Sequence, residues 1–184
     1  MLPNNNRLVP FVISILLFAT ACTKEAPLEP QQPEEPTTQE PGTVPVFENN
    51  VNKEVLLSLI NNVRAKGCNC GGDVMPAVAP LNWNIYLELA AANHSKDMLT
   101  RKYFNHTSPN GVTPQKRIAD AGYKASWSGE NIASGPSTEQ AVMDGWLKSE
   151  GHCKNIMNPN YKDVAVARAG NIWTQTFGAT SSKQ

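Results

Sequence analysis

Three side chains able to carry acid–base chemistry or to bind a metal lie in turn-rich segments of this chain. His106 follows an aromatic pair and precedes a dense turn signal, Glu130 interrupts a short apolar run, and His152 follows a helical segment. Two imidazoles and one carboxylate suit a zinc ion that keeps an open coordination position. A metal-bound water could then attack a carbonyl with Glu130 as base, so one hypothesis is a metal-dependent hydrolase.

The segments that carry these residues have recognisable start and stop signals. Ser137 with Gln140 three positions later predicts a capping box, and Gly151 is expected to end the helix that follows. This boundary would place His152 at a helix-to-turn junction. Residues 129–133 predict a strand or the end of one.

The domain is expected to open with an amphipathic helix over residues 51–63, because hydrophobic residues recur there every four positions. Asn49 or Asn50 can cap its start. Asn61 and Arg64 lie three positions apart, and we expect them on the solvated face of this helix. The members of the apolar stripe are Val51, Val55, Leu59 and Val63.

A second and longer helical pattern runs over residues 83–102. His94 lies on its apolar stripe and is expected to be a hydrogen-bonded core residue rather than a ligand, while Glu88 is expected away from that stripe. A short helix follows, with Thr113 as its cap and Pro114 at its first position.

The carboxyl-terminal part of the chain predicts two antiparallel strands. Residues 163–168 and 172–178 alternate in polarity, and the tight turn at 169–171 makes them a hairpin. Helices combined with short antiparallel strands favour a layered α+β domain.

The cysteines predict a disulfide but leave its pairing open. Setting Cys22 aside leaves Cys68, Cys70 and Cys153, an odd number for an oxidising compartment. A bridge between Cys68 and Cys70 would be strained, so Cys153 is expected to pair with one of them. The alternative is a zinc site that uses the three thiolates together with His152.

The amino terminus predicts export and lipid anchoring. Residues 1–21 contain an apolar core over 11–18 that is too short to span a bilayer, and small residues before Cys22 resemble a bacterial lipobox. An ordinary secretory signal with an incidental Cys22 is the alternative. Residues 22–46 are rich in Pro and Glu and predict an extended tether, so the folded domain is expected over 47–184.

Composition argues against nucleic acid as a partner. The 184-residue chain has a formal net charge of +0 and a pI of about 6.8, and it carries no basic stripe. Its length suits one globular domain with appendages.

An ordered set of short motifs resembles the CAP superfamily, the cysteine-rich secretory, antigen 5 and pathogenesis-related 1 proteins, in its bacterial lipoprotein form. The resemblance covers about residues 49–178. The motifs that carry it are Asn61-x-x-Arg64, Tyr103-Phe104-x-His106, Gly129-Glu130-Asn131-Ile132, Trp146-x-x-Ser149 with Gly151-His152 and Asn155-Ile156-Met157, and Trp173-Thr174-Gln175.

The resemblance implies a three-layer α-β-α sandwich with a small antiparallel sheet and a central cleft that binds divalent metal in some members. It maps the cleft residues to His106, His152 and Glu130. A second acid common in eukaryotic members is replaced here by Ser149, and Glu150 stands next to it. This departure weakens a mechanism carried over from those members.

The resemblance also implies secretion and favours a binding module over an enzyme. Relatives that bind sterols and fatty acids suggest that a tethered domain could capture a lipid or a component of the cell envelope or host. A surface adhesion protein is a further hypothesis. The sequence leaves open the ligand, the face of the membrane and the oligomeric state.

Overall fold

A computed structural model describes residues 47–181 of the chain. The predicted signal segment, Cys22 and the tether lie outside these residues, so the predicted domain boundaries stay predictions. None of the described helices is long and apolar enough to cross a membrane. The elements in chain order are α1 (Lys53–Lys66), β1 (Cys68–Cys70), β2 (Asp73–Met75), β3 (Asn82–Trp83), α2 (Ile85–Arg101), α3 (Pro114–Asp120), β4 (Trp127–Ser134), α4 (Glu139–Lys148), α5 (Glu150–Ile156), β5 (Asp163–Ala169) and β6 (Ile172–Ala179).

The main sheet has four strands in the order β3-β5-β6-β4. The predicted hairpin of β5 and β6 is confirmed, and β4 adds to it antiparallel along the other edge of β6. The two-residue strand β3 pairs with β5 in parallel, so the sheet is antiparallel except at this edge. Strands β1 and β2 form a separate small hairpin.

Helices cover both faces of this sheet, which confirms the expected three-layer α-β-α arrangement. Val164 and Val166 of β5 belong to a buried cluster with residues of α1, α4 and α5. The alternate residue Ala165 packs with Leu87 of α2 on the opposite face. Successive side chains of a strand point to opposite faces, so two helical layers bury all of β6 and the middle of β5.

Three of the four predicted stripe residues, Val51, Leu59 and Val63, pack partly buried against the core, but the stripe omits the most buried residues of α1. Leu56 and Ile60 are fully buried, whereas Val55 is 43% exposed. Hydrophobic residues occupy a broad arc of this helix, so the four-residue period fits more than one stripe. The cap is Asn52, whose side chain accepts from the amide of Val55, rather than Asn49 or Asn50.

The expectation that Asn61 and Arg64 lie on a solvated face is also wrong. Asn61 exchanges hydrogen bonds with the backbone of Leu81, at 3.0 Å and 2.8 Å. Arg64 is fully buried. Its guanidinium donates to the carbonyls of Ala79 (2.8 Å), Ile156 (2.6 Å) and Asn158 (3.1 Å). Arg64 therefore joins α1 to the end of α5 and the turn beyond it.

Glu88 of α2 is fully buried, although the periodicity of the helix predicts it away from the apolar stripe. Its carboxylate accepts from Trp83 Nε1 and Asn49 Nδ2, each at 2.7 Å, and pairs with Lys53 at 2.9 Å. These donors compensate the cost of removing the charge from water.

The boundaries around the predicted fourth helix differ from those expected. Thr138 rather than Ser137 caps α4, and accepts from the amide of Ala141. Gly151 does not end a helix, because α4 already ends before Ser149 and α5 begins directly after it. His152 thus lies in the first turn of α5 instead of at a helix-to-turn junction.

Candidate functional site

Glu130 is the centre of a buried polar cluster at the edge of the main sheet. Its side chain is 2% exposed on β4. Oε1 lies 2.8 Å from His106 Nδ1, and Oε2 lies 2.8 Å from Arg117 Nη2. His94 Nε2 approaches Oε1 at 3.7 Å. Both oxygens of the carboxylate are therefore engaged by basic side chains.

Arg117 fixes the loop that carries His106. It lies on α3, where Thr113 and Pro114 form the predicted start. Besides its pair with Glu130, the guanidinium donates to the carbonyl of His106 at 2.7 Å and to that of Val112 at 2.9 Å. Arg117 was not predicted as a site residue. A basic residue on the buried side of a short amphipathic helix is the signal that could have indicated it.

His106 presents one ring nitrogen to the interior and the other away from it. Its side chain is 47% exposed, in contrast to the buried carboxylate beside it. In the neutral ring, Nδ1–H donates to Glu130, which leaves the Nε2 lone pair free. This carboxylate–histidine pairing is typical of histidines that ligate metals.

His152 lies close enough to His106 for their charges to interact. Burial lowers the pKa of His152, and a positive charge on His106 lowers it further. The imidazole is therefore neutral at neutral pH, the form that binds metals. No hydrogen bond involves this ring among residues 47–181, whereas the backbone carbonyl accepts from Asn131 Nδ2 at 3.1 Å.

An amide network holds α5 against β4 and so fixes the backbone of His152 relative to that of Glu130. Asn131 Nδ2 also donates to Gln175 Oε1 at 2.8 Å. Asn155 Nδ2 donates to Asn131 Oδ1 at 2.9 Å and to the Glu130 carbonyl at 3.2 Å. The motif residues Asn131, Asn155 and Gln175 thus position the cluster rather than supply its reactive atoms.

The two weaker sequence candidates lie apart from these contacts. Ser149 is the junction between α4 and α5, and its side chain makes no capping hydrogen bond. Glu150 is 58% exposed and pairs with Lys154 at 2.6 Å. Its side chain lies against Gly71 of the small hairpin. The structure therefore brings together Glu130 and His106, and it places His152 close enough to His106 for their charges to interact. Glu150 is directed elsewhere.

His94 is the core histidine that its position on α2 predicts, yet it also touches the cluster. The ring is fully buried, and Nε2 lies 3.1 Å from the carbonyl of Asn105. Burial lowers the pKa of His94 to about 4, an effect that Arg117 adds to and that Glu130 opposes. His94 is therefore neutral at pH 7 and supports the His106 loop from inside.

Replacing His94 with Gln is expected to weaken the pH dependence of stability. In the wild-type protein, His94 should lower the free energy of unfolding by on the order of 3 kcal/mol between pH 6.5 and 4. The reason is that His94 binds a proton in the unfolded chain over this range and stays neutral in the folded chain. Urea unfolding of both proteins at pH 7 and pH 4.5 measures the difference. Identical pH dependence in the two proteins would contradict this role.

The structure settles the cysteine pairing in favour of Cys70 and Cys153, which form a disulfide, and leaves Cys68 as a thiol. Among residues 47–181, these three make up the one group of three or more His, Cys, Asp or Glu residues whose ligand atoms all lie within 4.8 Å of one another. His152 is not part of that group. His106, His152 and Glu130 do not form such a group either.

A family profile matches most of the folded domain. The profile of the cysteine-rich secretory protein family, CAP, covers residues 57–177. The chain therefore belongs to the CAP family. The motifs that indicated this resemblance include those that hold His106, Glu130 and His152 in the cluster described above.

Curated relatives and solved structures agree with this assignment. The chain is 35% identical to Bacillus subtilis (strain 168) YkwD over 143 residues, 77% of this chain and 50% of YkwD. It is also 31% identical to the B. subtilis membrane protein YlbC over 122 residues, 66% of this chain and 33% of YlbC. The chain thus spans half or less of these relatives.

Two bacterial structures share the fold. One is an extracellular protein containing an SCP domain from Bacillus anthracis str. Ames, with a TM-score of 0.63 and 31% identity over 72% of this chain and 41% of that one. The other is an outer surface protein from Borrelia burgdorferi, with a TM-score of 0.59 and 22% identity over 70% of this chain and 92% of that one.

Proposed function

We propose that this CAP domain is an envelope-anchored, extracytoplasmic binding module whose cleft takes a divalent cation through His106 and His152. One observation carries this proposal. The bond from His106 Nδ1 to Glu130, at 2.8 Å, turns Nε2 of the half-exposed ring away from the carboxylate. The imidazole of His152, whose pKa is lowered by burial, lies near enough for a positive charge on His106 to lower it further.

The donor set fits zinc in type and protonation. Zinc accepts neutral imidazoles, and ligating histidines commonly donate their other ring nitrogen to a carboxylate. Glu130 would therefore orient His106 rather than bind the ion itself, because its two oxygens already serve His106 and Arg117. A bound zinc would have coordination positions left over, which an electron-pair donor of the molecule bound by the domain could fill.

The same contacts argue against hydrolysis with Glu130 as general base. A base must reach the proton it removes, and its carboxylate must be available to accept it. Both oxygens of Glu130 are held at 2.8 Å by cationic or hydrogen-bonding partners, and the group is 2% exposed. Binding therefore needs no rearrangement of Glu130, whereas base catalysis does.

Extracytoplasmic placement is supported by the predicted lipoprotein signal and by relatives that are extracellular or on the outer surface. The Pro- and Glu-rich tether would hold the domain away from the membrane.

Phe104, which is 50% exposed on the His106 loop, offers an apolar contact beside the cleft. The proposed ligand is thus an envelope or host component, such as a lipid, that joins an apolar part to a polar group able to reach the cation.

Zinc titration tests this function. Wild-type protein is expected to bind one zinc with a readily measured affinity, and His106→Ala or His152→Ala should weaken it at least about tenfold. Isothermal titration with metal-free protein gives both stoichiometry and affinity. Cys68→Ser is the matched control, since it alters the cysteine group and leaves the cleft intact. Full binding by both histidine variants would overturn the proposal.

A further inference from the structure

A second cluster of potential metal ligands lies where the small β1–β2 hairpin meets α5. Cys68 and Cys70 are two residues apart on β1, so their side chains leave the same face of the strand. Cys153 of α5 packs against that face. The Cys68 sulfur lies 3.5 Å from that of Cys153 and 3.7 Å from that of Cys70.

These separations suit three sulfurs around one ion. Metal–thiolate bonds of about 2.3 Å place the sulfur atoms about 3.8 Å apart in tetrahedral geometry and about 4.0 Å apart in trigonal geometry. The Cys68 sulfur already lies near these distances from both others. Only the bonded pair, Cys70 and Cys153, must separate. Both of these residues are fully buried and Cys68 is partly exposed, so water has limited access.

The charged side chains near the three cysteines form ion pairs with one another. The sulfur atoms are therefore the groups left to bind an ion. Lys154 pairs with Asp73 and with Glu150, at 2.6 Å each. His152 precedes Cys153 but stands outside the group of converging ligand atoms. A three-sulfur set with no oxygen or nitrogen ligand favours a soft cation.

We propose that Cys68, Cys70 and Cys153 form a reduction-gated binding site for a thiophilic cation of the Cu(I) class. A dithiol reductant donates two electrons and two protons, which breaks the Cys70–Cys153 bond and leaves the reductant as a disulfide. The three thiols then release three protons as their sulfurs bind the ion. The oxidised protein holds the same cysteines in a form that cannot bind.

The site differs in chemistry and position from the proposed histidine cleft. Soft thiolates select Cu(I), whereas paired imidazoles suit zinc. The two sites are expected to be separable by mutation, because Cys153 belongs to the sulfur group and the neighbouring His152 belongs to the cleft.

The test is a Cu(I) titration under argon, in competition with a chromogenic copper chelator. The full chain carries Cys22→Ser, which removes the fourth cysteine, and is measured oxidised or after reduction and removal of the reductant. The reduced protein is expected to bind one Cu(I) and the oxidised protein none at this site. Cys68→Ser should lower the affinity of the reduced protein at least about tenfold. That variant keeps the Cys70–Cys153 bond when oxidised, so its folding can be verified first by circular dichroism.

His106→Ala is the matched control and should bind Cu(I) as the parent does. Three results would overturn the proposal. These are unchanged affinity in Cys68→Ser, loss of binding in His106→Ala, and equal affinity in the reduced chain unfolded by urea.

Discussion

Replacing Glu130 with Gln is expected to lower the free energy of unfolding by about 3 kcal/mol. The substitution keeps the shape of the side chain but leaves the guanidinium of Arg117, which is 9% exposed, without its anionic partner. Chemical denaturation of the two proteins measures the loss. Combining Glu130→Gln with Arg117→Met should cost less than the sum of the single changes, because the double variant leaves no unpaired charge.

Asp120→Asn is the control for this prediction. Asp120 also pairs with a basic residue of α3, Lys116 at 2.7 Å, but both side chains are more than half exposed. Water screens this pair, so the change is expected to cost less than about 1 kcal/mol. Comparable losses in Asp120→Asn and Glu130→Gln would contradict the importance of the buried pair.

Replacing Arg64 with Met is expected to lower the free energy of unfolding by about 3 kcal/mol, since three backbone carbonyls, including that of the buried Ile156, lose their donor. Burial lowers the pKa of Arg64 to about 10, so the guanidinium remains charged at neutral pH and makes strong hydrogen bonds. Two of its acceptors, Ile156 and Asn158, lie at the end of α5 and beyond it. The variant should therefore also loosen the helix that carries His152.

Lys66→Met provides the comparison on the same helix. Lys66 is exposed in the last turn of α1, so its loss is expected to change stability by less than about 0.5 kcal/mol. Urea unfolding of the two variants separates burial from charge removal. If Arg64→Met were no less stable than Lys66→Met, the buried guanidinium would not be joining α1 to α5.

The sequence predicts the layers of this fold better than the positions of its buried polar groups. Hydrophobic periodicity and turn residues indicate α2, α3 and the β5–β6 hairpin, because these signals are local. Arg64, Asn61 and Glu88 are misplaced by the same reasoning, since their burial depends on partners distant in the chain. Periodicity alone cannot show that a carbonyl or an amide will meet such a side chain.

The residues around Glu130 could be predicted in part, but the geometry of their contacts could not. His106, Glu130 and His152 come from residue type and from motif resemblance. Arg117 was missed, and His94 was predicted as a hydrogen-bonded core residue without its contact to Glu130. The positions of both residues on amphipathic helices indicate only burial, and burial does not identify a partner. The proposal that Glu130 orients His106 rather than binding metal rests on the distances between side-chain atoms.

The sequence leaves the cysteine pairing open, and the structure gives the physical reason. Cys68 and Cys70 leave the same face of β1, and both sulfurs approach Cys153. Spacing in the sequence cannot show whether Cys68 or Cys70 bonds to Cys153, because both lie within reach of it. That convergence is also the basis of the proposed three-sulfur site.

The most direct test of the proposed cleft is anomalous diffraction from crystals of the protein soaked with zinc. We expect one peak about 2.0–2.1 Å from His106 Nε2 and from a ring nitrogen of His152, with Glu130 still bonded to His106 Nδ1. No peak in the cleft of crystals that hold zinc elsewhere, or an ion bound directly by Glu130 in place of His106, would contradict the proposal.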